Sequence, residues 1–255
     1  MKRLPLVTNE MCEAFKNNNY SLKNYEGFIS DIDGLNERQK RILYCIRMGM
    51  VDAFKQTKHP FNIADIKASR LRQKLLTEFY KLIEISDQNS FNIWYNTLLF
   101  LCEDDSLSLS FGIMQKTLNM SLKYYYNEHF IENPILKLTH KNKDIAKWFP
   151  FPVDSILLNK LKIILKDLPN GNIIYKHTSW SNWNYSQYSK YQEFIRSILK
   201  DEISLLEMEY HIWPAIIANN GDTIADAAAR EVLNLKNKPI NLIEYKNIFF
   251  KPFIC

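Results

Sequence analysis

Glycine is scarce here, with 6 in 255 residues beside 9 prolines, and that shortage argues against a turn-rich fold. Cysteine is sparse too. Cys12, Cys45, Cys102 and Cys255 lie far apart, with no Cys-x-x-Cys pair and no histidine at ligand spacing. Neither a zinc site nor a disulfide framework has a signature, so reduced, mostly buried thiols, no metal and no cofactor are expected. No repeat period, low-complexity segment, glycine-rich linker or basic tail occurs. The opening "MKRLPLVTNEMCEAFKNNNY" carries no continuous apolar segment after its two basic residues, and no later run is long and uncharged enough to cross a bilayer. The expectation is a soluble cytoplasmic protein without a membrane partner.

What is present is apolar residue at helical spacing. Hydrophobic content is 46%, enough for a substantial core, and a formal net charge of +5 permits an anionic partner without requiring one. Between Asn36 and Gln56, Ile42, Leu43, Ile46, Met50 and Phe54 fall near one stripe, with Arg38, Arg41 and Lys55 largely outside it. Leu71, Leu75, Leu76, Phe79, Leu82 and Ile83 repeat the pattern, and "NSFNIWYNTLLFLCEDD" is apolar enough for a central helix ending in an acidic cluster. A further helix covers "LSLSFGIMQKTLNMSLKYYY", and Asp154 followed by Ser155 forms an N-cap for an apolar run that Asn170 and Gly171 end. "SWSNWNYSQYSKYQEFIRSILKDE" reads as an aromatic loop leading into a helix; Gly221 divides two later helical pieces, and "NLIEYKNIFFKPFIC" reads as a strand or extended arm. The fold expected is mostly α, one multi-helix domain over residues 1–255, with any lobe boundary falling within 127–150.

Two residues stand out chemically. Lys116 sits beside Gln115 and near Asn119, whose amides can bond a base edge or a sugar; Lys116, Asn119 and Lys123 share one helix face. A solvated polar stripe is the plain alternative. Asp154 reads first as a helix cap worth about 1 kcal/mol. A carboxylate at a helix N-terminus also stays ionised, the state that stabilises a developing cation.

The order "SFGIMQKTLNMSLKYY" followed by "FPFPVDSILL" resembles the helix-hairpin-helix superfamily of DNA glycosylases, in particular its 8-oxoguanine glycosylase branch. The similarity covers about a fifth of the chain. It implies that Lys116 is the nucleophile and Asp154 the catalytic aspartate of an enzyme excising a damaged or modified base from DNA, by hydrolysis with or without strand cleavage. Antiviral defence is one setting for such chemistry, though no residue encodes it. The family's glycine-rich hairpin, which presents N–H groups to phosphate, is reduced to "SLSFG" with Gly112 alone, and an insertion, "NEHFIENPILKLTHKNKDIAKW", separates the two residues.

His177, Trp180 and Trp183 lie in an aromatic, serine- and asparagine-rich segment suited to sandwiching an extruded base. Tyr188, Tyr191 and Phe194, by contrast, are spaced as the buried face of a helix. Lys123, Lys141, Lys143 and Lys147, with Gly112, are the residues that would meet a DNA backbone. The second reading is a non-catalytic helical module that binds nucleotide, nucleic acid or protein through an aromatic pocket.

Overall fold

Helix boundaries are set by side chains that satisfy the first free backbone N–H groups of each helix. In the computed structural model, which describes residues 34–54, 66–104, 106–107, 109–130, 145–165, 179–199, 203–217 and 233, these helices are α1 Glu37–Phe54, α2 Ile66–Lys81, α3 Gln88–Leu99, α4 Phe111–Phe130, α5 Ser155–Leu165, α6 Tyr185–Ile198 and α7 Leu205–Ile217. There is no strand among the described residues. Asn36 and Gln39 exchange side-chain and backbone bonds of 2.9 and 3.0 Å ahead of α1. Asn184 and Gln187 do the same before α6, and Ser204 and Glu207 before α7. Asp87 caps α3 through the Ser90 N–H at 2.9 Å.

α4 is the centre of the molecule: every residue from Met114 to Asn127 is buried. α1 runs against it at close range, because a Cβ at Gly49 would stand 2.3 Å from Ser121 Oγ and 2.7 Å from the Thr117 carbonyl oxygen. Phe79 of α2 links Trp94 of α3 to Tyr125 of α4 through edge-on ring contacts. α5 and α7 contact each other, and Lys123 and Glu209 join α4 to α7. A 3-10 turn, Trp180–Asn182, crosses the start of α4, where Gly112 leaves room for the Trp180 carbonyl.

Three expectations change. The helix beginning in "NSFNIW" is peripheral, with Asn92, Ile93 and Thr97 exposed, and α4 takes the centre instead. Arg41, expected outside the apolar stripe of α1, is buried beside Glu37, with 3.2 Å between Arg41 Nε and a Glu37 carboxylate oxygen. Lys116, Asn119 and Lys123 form no solvated stripe; all three are inside. The break at Gly221 and the C-terminal arm lie outside the described residues.

Candidate functional site

Pro150 and Pro152 keep residues 149–154 out of a helix, and that non-helical segment lies along α4. Gln115 holds it on both sides: its Nε2 donates to the Val153 carbonyl at 2.9 Å, and its Oε1 accepts from the Val153 N–H at 3.3 Å. Asn119 adds a donor bond to the Phe151 carbonyl at 3.1 Å, and Gln192 of α6 donates to the same oxygen at 2.9 Å. Asp154 is thereby fixed one residue beyond a clamped peptide.

The Asp154 carboxylate is shared. Its Oδ1 accepts the Leu157 N–H at 2.8 Å, capping α5, while Oδ2 lies 2.8 Å from Lys116 Nζ. The Lys116 side chain is 2% exposed and that of Asp154 11%, so the carboxylate is the member nearer to solvent. Trp180 covers the lysine, with Nζ 5.1 Å from its ring centroid.

Two helical turns along α4, Lys123 Nζ pairs with Glu209 of α7 at 2.8 Å and sits 4.9 Å from the Tyr210 ring. The pairs are electrically linked. Burial pushes the Glu209 carboxyl up, Lys123 opposes that shift, and the charges of Asp154 and Lys116 also reach it. Nearby in sequence, burial drives the His211 imidazole down to about 4, so it stays neutral at pH 7.

Asn119 also anchors a hydroxyl network. Tyr95 donates to Asn119 Oδ1 at 2.5 Å, Asn119 Nδ2 donates to the Tyr188 hydroxyl at 2.8 Å, and the two tyrosine oxygens are 2.7 Å apart. Burial raises both tyrosine pKa values, which keeps the hydroxyls protonated. Beyond the tyrosines opens a cavity of about 260 Å³ between α3 and α6, with Trp148 and Pro150 on its wall. Neither Lys116 nor Asp154 lines it.

The chain matches no known family model, no curated protein and no solved structure.

Lys116 and Asp154 meet, as a shared site requires. Gln115 and Asn119 are spent on internal bonds and face no open space; Trp183 packs edge-on against Tyr191 in the core, whereas Trp180 does reach the lysine. Lys123, expected at a DNA backbone, is 1% exposed and paired with Glu209, so it contacts no phosphate in this arrangement. Gly112 is buried beneath residues 180 and 181, a packing role in place of a phosphate-facing one. Lys147 is exposed, whereas Lys141, Lys143 and His177 lie outside the described residues. Among the described residues no group of His, Cys, Asp and Glu could hold a metal ion.

Sequence reasoning missed Tyr95 and Gln192, read Tyr188 only as part of a buried helix face, and gave Glu209 at most an accessory role for want of a partner. Glu209 carried a usable signal: a buried acidic residue within the apolar run "LLEMEYHIW" needs a buried cation, and Lys123, inside α4, is that cation.

Proposed function

We propose that this chain is a DNA glycosylase-like enzyme that excises a damaged or modified base. The observation carrying the proposal is the buried 2.8 Å contact between Lys116 Nζ and Asp154 Oδ2, supplied by two elements 38 residues apart. Breaking an N-glycosidic bond sends the electron pair to the base and leaves positive charge on the sugar. The Asp154 carboxylate, held by the Leu157 N–H, would stabilise that cation. An ammonium in an ion pair has no lone pair for attack; transfer of its proton to the departing base frees the amine, which then bonds the anomeric carbon. Exposed Lys147 and Lys162 would contribute part of the phosphate attraction for a DNA partner.

Borohydride trapping on duplexes carrying damaged or hypermodified bases tests this. A covalent adduct is expected for the native chain and none for Lys116→Ala, while Asp154→Asn slows base release by about two to three orders of magnitude. Absence of base release from every such duplex rules the proposal out.

One observation favours a second reading, a non-catalytic module that binds nucleotide, nucleic acid or protein: the aromatic cavity is not lined by the ion pair. That reading calls for binding without turnover, preserved in Asp154→Asn.

A further inference from the structure

We infer that the cavity between α3 and α6 binds an uncharged nucleobase or nucleoside, whether or not the Lys116–Asp154 pair excises a base. Its volume of about 260 Å³ falls just below the ~300–1,000 Å³ typical of pockets for drug-sized ligands, which suits one flat heterocycle with part of a sugar. The floor is aromatic and buried, formed by Phe91, Tyr95 and Tyr188. At the mouth the Tyr185 ring is 38% exposed while resting on Phe100 and Phe111, an aromatic side chain already ordered for stacking.

The polar groups decide what kind of ring enters. Tyr95 gives its one proton to Asn119 Oδ1, and Asn119 in turn donates to the Tyr188 oxygen, which leaves the Tyr188 proton for Tyr95. Both phenolic protons are therefore committed within the protein. Recognition of the ring edge falls instead to carboxamides of the α3 rim, Gln88, Asn92 and Asn96, spaced one helical turn apart. Each offers both donors and an acceptor, the mixture a base edge presents. Only Glu193 and Arg196 bring charge to the lining, and they cancel. A phosphate would meet as much repulsion as attraction, so nucleosides are preferred over nucleotides.

Titration calorimetry of the full chain with adenosine, cytidine and AMP provides the test. Saturable binding of at least one nucleoside is expected, with AMP no tighter than adenosine. Tyr185→Ala and Asn92→Ala, both at exposed positions, should each weaken that nucleoside, Tyr185→Ala by about tenfold or more through lost stacking. Asp154→Asn should leave its affinity unchanged. No saturable binding by either nucleoside overturns the inference, as does AMP binding tenfold more tightly than adenosine. So does indifference to both rim variants, or a loss confined to Asp154→Asn, which would put the ligand at the ion pair. Base release from DNA is read separately, so failure here and failure of the excision proposal are distinct results.

Discussion

At the residue scale the dominant fact is that Lys116 and Asp154 have left water together. Desolvating either charge costs several kcal/mol, and the 2.8 Å contact, the Leu157 N–H and the Trp180 face supply the compensation. Removing one partner strands the other, so Lys116→Ala should destabilise the fold by about 3–5 kcal/mol, read from the urea midpoint at constant slope. His211 gives a pH signature. Its imidazole titrates near 4 in the folded chain against the ordinary 6.5, so below pH 6.5 the unfolded chain takes up a proton that the folded one refuses. Stability is fully present above pH 6.5 and is lost progressively down to about pH 4, with a loss on the order of 2 kcal/mol by pH 5. His211→Gln should flatten that part of the stability-pH curve. An unchanged curve would place the titration elsewhere.

At the element scale, helix ends and close crossings hold the site in register. Asn184→Ala removes one half of the capping box of α6 and should cost about 1 kcal/mol, visible as a lower melting temperature. Gly112 is less forgiving. A Cβ there would lie 2.3 Å from the Trp180 carbonyl oxygen, so Gly112→Ala must push away the turn that carries Trp180 over Lys116. The expected penalty is about 1–3 kcal/mol, with altered Trp fluorescence reporting the displaced turn.

These same elements show what the sequence disclosed. The apolar spacings of Ile42, Ile46 and Met50, of Leu71, Leu75 and Phe79, and of Tyr188 and Tyr191 mark faces that are buried in the fold, and Asp154 caps α5 as its position before Ser155 implies. Asn36-x-x-Gln, Asn184-x-x-Gln and Ser204-x-x-Glu were available as start signals. The centrality of α4 was hidden, because Lys116, Asn119 and Lys123 read as a wet face until their partners from four other segments, residues 151–154, α3, α6 and α7, are known. Periodicity locates a polar stripe; it does not show that the stripe is matched by polar groups elsewhere. The cavity was hidden for a similar reason, since it arises from the separation of α3 and α6, which no local pattern encodes.

At the scale of the whole molecule, two ion pairs in the core call for a reason, since well-packed apolar replacements of buried pairs are often neutral or stabilising by about 1–4 kcal/mol. Lys116–Asp154 and Lys123–Glu209 both hang from α4, and each is almost sealed from solvent. If both merely held the helices in place, exchanging either for a neutral pair would have the same consequence. The excision proposal separates them. Lys123→Met with Glu209→Leu should melt at or above the native temperature and still release base. Lys116→Met with Asp154→Asn, which keeps the cap on α5, should fold to within about 1 kcal/mol of the native chain yet lose all excision. Differential scanning calorimetry beside a base-release assay on the two double variants reads both properties. Equal activity in the two variants would mean that both pairs serve the architecture alone.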